Sequence, residues 1–95
     1  MNLYEALYII VPEQDEQAVE ATIEKFKGIV ESNGGEVTAV DKWGKKRLAY
    51  PINYKTDGHY VLMSFSCAPE FPKEIERNFR NDEAILRYLV TRKEA

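Results

Sequence analysis

Cysteine is almost missing from this chain: Cys67 is the only one in 95 residues, so no internal disulfide can form. A lone thiol is no sign of an oxidising compartment, and a cytoplasmic location is the expectation. Histidine is as scarce. With His59 alone, neither a Ser-His-Asp set nor a metal site with several imidazoles is credible, and no metal or other cofactor is expected. Long apolar runs are absent too. The longest, Ala6 to Val11, has strand length and falls far short of the roughly 20 residues that span a bilayer, so no membrane association is expected. No cationic start followed by a long apolar core and a small-residue cleavage site is legible, so no secretory leader is expected. Repeats, low-complexity tracts and linkers are also lacking. The expectation is one domain over residues 1–95.

The motifs of small-molecule chemistry are missing as well. Gly34-Gly35 follows a helical stretch and precedes a strand, the reverse of the order that cradles a phosphate. Asp15-Glu16 and Asp82-Glu83 stand at element starts, where capping accounts for them. An acylphosphatase-like enzyme would need an anion-cradling loop with a positioned arginine after the first strand. Here that strand runs into Pro12-Glu13-Gln14-Asp15, whose acids repel an anion. The chain reads as a non-enzyme with no small-molecule substrate.

What is present is charge, and it is segregated. The net charge is −3, yet Glu13 to Glu31 holds six acids and two lysines, whereas Lys42 to Arg47 holds four cations and no acid. Arg87, Arg92 and Lys93 add a second basic stretch. Such asymmetry creates a local field whatever the sum. The run Trp43-Gly44-Lys45-Lys46-Arg47-Leu48-Ala49-Tyr50-Pro51-Ile52 concentrates it. Three consecutive cations lie between aromatic residues, and apolar sequence resumes at once. This is the pattern of a strand that leaves a core and presents cations and flat rings to a partner, nucleic acid first among them.

Periodicity supplies the frame. Residues 3–11 are β-branched and aromatic and stop at Pro12, a strand apolar on both faces. Val19, Ile23, Phe26 and Val30 recur at helical spacing behind an Asp15 N-cap, and Asn33-Gly34-Gly35 ends that helix. Residues 36–49 form a second extended segment, with Val37 and either Ala39 or Val40 directed inward and a bulge or bend at Gly44. Residues 51–58 read as a turn region with its reversal at Asp57-Gly58. In the strand from His59 to Cys67, Val61, Met63, Phe65 and Cys67 share one face. Residues 69–81 give a short helix with Pro72 in its first turn, and residues 84–91 a last strand.

The order strand, helix, strand, strand, helix, strand, with right-handed crossovers, predicts an α+β fold. It is the ferredoxin-like βαββαβ unit, a four-stranded antiparallel sheet of order 4-1-3-2 with both helices on one face. If Ala6, Tyr8 and Ile10 pack beneath the helices, then Glu5, Leu7, Ile9 and Val11 point the other way with Tyr60, Leu62 and Leu89. An apolar patch of that size predicts a partner surface.

The chain resembles the bacterial small-subunit ribosomal protein six family over essentially its full length. The resemblance rests on Tyr4-Glu5 before an apolar strand and Pro12, on Gly34-Gly35 and on the Trp43-to-Ile52 run. It rests further on Gly58-His59-Tyr60 and on the closing Ile85-Leu86-Arg87-Tyr88-Leu89-Val90. It implies the fold just derived and a structural, non-catalytic role in the small ribosomal subunit. It also implies binding to the central domain of small-subunit ribosomal RNA together with small-subunit ribosomal protein eighteen. Carried onto this sequence, Lys45, Lys46, Arg47, Arg87 and Arg92 are the RNA-facing cations. Tyr4, Tyr50, Tyr60 and Leu62 are the candidates for packing against the partner or the RNA. A regulatory module that dimerises through its sheet would use the same apolar face, but would leave the cation run without a purpose.

Overall fold

The computed structural model describes residues 2–52 and 54–93. Its elements are β1 (Asn2–Ile10), α1 (Glu16–Ser32), β2 (Glu36–Ile52), β3 (Lys55–Cys67), α2 (Phe71–Arg80) and β4 (Ile85–Arg92). They form one four-stranded sheet of order β2-β3-β1-β4, antiparallel throughout. This is the ferredoxin-like arrangement expected, with β2 and β4 as the edges.

Each helix begins and ends for a local reason. The Asp15 carboxylate accepts from the Ala18 N–H at 2.8 Å, which satisfies one of the donors orphaned at the start of α1. Asn33 closes that helix, and Gly34 follows at φ +82°, a conformation that costs glycine nothing. Pro72 sits in the first turn of α2, where its missing N–H is no loss.

Both helices bury their stripes against the same face of the sheet. Val19, Ile23, Phe26 and Val30 of α1 and Phe71, Ile75 and Phe79 of α2 meet Ala6, Tyr8, Ile10, Val61, Met63, Phe65 and Cys67. An aromatic triad lies at its centre: Phe26 and Phe79 are 4.4 Å apart by centroid, and Tyr8 is 4.9 Å from Phe79. Each such side chain contributes about 1.5–3 kcal/mol by burial. Val40 rather than Ala39 supplies the inward residue of β2, because Val40 pairs with Met63 and packs on the core.

The structure corrects two expectations. Asp57-Gly58 is not the reversal. Both residues lie within β3, and Asp57 pairs with Arg47. The chain turns between Ile52 and Lys55, where Tyr54 takes φ 65°, and Asn53 lies outside the described residues. Gly58 is needed for space, since a Cβ there would come within 2.5 Å of Ile9 Cγ2. Val11, expected on the open face, follows the end of β1 and packs against the helix-side core.

The paired strands β2 and β3 outrun their neighbours. β1 ends with Ile10 opposite His59, but β2 and β3 continue past that row to Ile52 and Lys55. The result is a two-stranded arm beyond the end of β1, and it carries the Lys45-to-Tyr50 run.

Candidate nucleic-acid interface

Directly paired residues in an antiparallel ladder share a face, so the register reads out the sheet side that no helix covers. One row is Asp41, Leu62, Leu7 and Leu89; the next, toward the arm, is Gly44, Tyr60, Ile9 and Arg87. Behind them Ser64, Glu5 and Thr91 make a polar row. The open face thus grades from polar, through apolar, to aromatic and cationic at the base of the arm.

A bulge decides which cations join that face. The register shifts between Lys42 and Gly44, so Trp43 is an extra residue on β2, and Gly44 takes φ +86°. Lys42, opposite Val61, stays on the helix side and is held there by Glu20 and by Glu16, the latter at 3.1 Å. Glu20, then Glu16, raise its pKa above the ordinary lysine range. Lys42 is therefore withdrawn from the run of four cations. Beyond the bulge, Lys45 and Arg47 pair with His59 and Asp57 on the helix-side parity, while Lys46, opposite Gly58, falls on the open side.

The remaining expected cations occupy distinct surroundings. Lys45 lies 3.9 Å from Asp57 and Lys46 lies over the Trp43 ring, 5.8 Å from its centroid. Arg47 is exposed on the arm. Arg87 crosses to Tyr50: its guanidinium donates to the Tyr50 hydroxyl and lies 5.5 Å from the ring centroid. Arg92 pairs opposite Tyr4 at the far end of β4, where it reaches Asn2 at 3.4 Å. It stands five positions along the strand from Arg87, about 16 Å away. Four of the five cations therefore gather around the arm, and the fifth does not.

Among the aromatic and apolar candidates, Tyr60 and Leu62 lie on the open face, as parity requires. Tyr50 is 55% exposed on the arm. Tyr4 is placed elsewhere. It is 8% exposed, with its ring 5.9 Å from Phe65 in the helix-side core, so packing already occupies it. Two features escaped sequence reasoning. Ile9 is only 8% exposed although no helix covers it, and Leu48 on the arm is also buried. Trp43 and Tyr60 lie with their rings within 9° of parallel. The alternation of Lys46, Leu48 and Tyr50 was the available signal that one side of the arm turns inward.

Residues 3–92 match the family model described as ribosomal protein S6. The chain belongs to the ribosomal protein S6 family. The small ribosomal subunit protein bS6 of Clostridium novyi is 48% identical over 94 residues, covering 99% of both chains. That of Caldanaerobacter subterraneus is 44% identical over 92 residues, covering 97% of each. The crystal structure of 30S ribosomal protein S6 from Thermotoga maritima superposes with a TM-score of 0.91 at 29% identity, covering 97% of this chain and 87% of that one. Members of the S6 family are structural proteins of the bacterial ribosome and therefore cytoplasmic; they are not enzymes, and neither is this chain.

Proposed function

We propose that this protein, acting as one RNA-binding domain over residues 1–95, binds the central domain of small-subunit ribosomal RNA together with small-subunit ribosomal protein eighteen. The observation that carries the reading is the arm: a two-stranded projection with Lys45, Lys46 and Arg47 at the end where the open face turns aromatic. Lys45, Lys46, Arg47 and Arg87 neutralise phosphates there, and Arg92 serves a second contact at the far end of β4. Leu62 and Tyr50 belong to the protein partner's footprint, and Tyr60 stands at its border with the cations, since an apolar sheet face is what a second protein buries. Tyr4 supports that face from the core.

The test is binding of the ribosomal RNA fragment, with the partner protein present, by the Lys45→Ala, Lys46→Ala, Arg47→Ala variant across a salt series. Each lost phosphate contact removes about 0.7–0.9 from the slope of log affinity against log salt. A slope lower by roughly 2 supports the reading. An unchanged slope and affinity overturn it.

A further inference from the structure

Trp43 is the chain's only tryptophan and is 41% exposed. The bulge at Gly44 sets it beside Tyr60, and Nε1–H donates to the Asp41 carboxylate at 3.2 Å, which fixes the indole's orientation. The two rings are within 9° of parallel, but their centroids are 6.4 Å apart. Aromatic planes in contact stand about 3.5–4 Å apart. At 6.4 Å the parallel rings are either offset side by side or separated by a gap near twice the contact distance. The indole, 41% exposed, keeps part of its surface open to solvent. The Lys46 ammonium lies 5.8 Å from the indole centroid, with Lys45 and Arg47 next along the strand.

We propose that Trp43 and Tyr60 form a stacking platform for an unpaired RNA base whose phosphate is taken by Lys46. The site thereby selects single-stranded over duplex RNA. The proposal rests on the RNA-binding reading and names the kind of RNA that this part of the site accepts. A base in a helix has its faces covered by its neighbours, whereas an unpaired base offers one to an aromatic ring. The favoured occupant is a nucleotide rather than a protein side chain because the cation stands at the platform itself. Protein interfaces deplete lysine at their cores, whereas a phosphate attached to the stacked base needs one. The parallel rings are adapted to a flat ligand.

The intrinsic fluorescence of Trp43 reports occupancy without any substitution. A single-stranded RNA hexamer should quench it saturably, and a blunt RNA duplex of equal charge should not. In parallel, labelled-RNA anisotropy should show that Trp43→Leu loses roughly tenfold in affinity for the hexamer while keeping its affinity for the duplex. Trp43→Phe should restore most of the loss. The Lys45→Ala, Lys46→Ala, Arg47→Ala variant should weaken on both RNAs. If that variant loses affinity while Trp43→Leu binds the hexamer like the parent and the hexamer leaves the fluorescence unchanged, the platform is wrong and the broader reading stands. If the cation variant binds both RNAs undiminished, the broader reading falls. Quenching by the partner protein but not by the hexamer also overturns the platform, since it assigns Trp43 to a protein contact.

Discussion

Arg87 and Tyr50 touch although they belong to β4 and β2, the strands at opposite edges of the sheet. The contact requires the far end of the arm to curl over the open face, across the end of β1. Ile9, the β1 residue paired with Arg87, is buried on that face. A cation over an exposed ring is worth about 0.5–1 kcal/mol. A double-mutant cycle with Tyr50→Leu and Arg87→Met should return a coupling energy of about that size in urea denaturation. Hydrogen exchange should quicken in residues 48–52 in either single variant. Additive effects with unchanged exchange would show that the contact does not hold the arm.

Gly58 makes the curl possible. An added Cβ would lie 2.5 Å from Ile9 Cγ2 and 3.0 Å from the Ile10 carbonyl oxygen. Gly58→Ala should therefore cost about 1–3 kcal/mol, the range for overpacking a tight site. The measurement is the midpoint of urea unfolding, and an unshifted midpoint would mean that the arm is free to move aside.

Tyr8 lies in the core, and its hydroxyl has no hydrogen-bond partner among the described residues. An orphaned buried hydroxyl is a cost, so Tyr8→Phe should be neutral or stabilising by about 1 kcal/mol. Burial also raises the phenol's pKa above its ordinary value of 10.0. The folded state then retains a proton that the unfolded state releases. The contribution is complete below pH 10 and declines as pH rises beyond it, by up to about 1.4 kcal/mol per pH unit. Chemical denaturation from pH 9 to 11 should show Tyr8→Phe losing less stability than the parent. Parallel curves would contradict the assignment.

Lys42 and Lys46 stand four residues apart and should behave oppositely. Lys42 is bound to α1 through Glu20 and Glu16, so Lys42→Ala should leave the salt dependence of RNA binding unchanged. Lys46→Ala should lower its slope by about 0.7–0.9. Equal effects would show that RNA strips Lys42 from its helix.

The frame was legible because each element carried its own periodicity. The Val19-to-Val30 stripe, the Asp15 cap and the alternation from Val61 to Cys67 all lie where they were read. Local signals failed where a distant residue decided the outcome. Asp57-Gly58 has the composition of a turn, but Gly58 is there because Ile9 needs the room. Ile9 has the parity of a bare residue, yet it is buried, with Gly58 of β3 close against its Cγ2. The cation run was visible as composition, whereas its division between two sides depended on the bulge. Glycine at position 44 announced the bulge without revealing which neighbours would change sides. A tyrosine near a strand end suits both a core and a contact surface, and here the Tyr4 ring stacks on Phe65.

The doubled step at Trp43 and Gly44 acts as a switch in the wiring of β2. Deleting one residue there would transpose everything downstream: Lys45 and Arg47 would exchange sides with Lys46. Composition, net charge and strand content would be nearly the same, yet the indole would lose the ammonium beside it. In this fold, therefore, where charge is delivered depends less on how many lysines the strand carries than on one unpaired residue in its count.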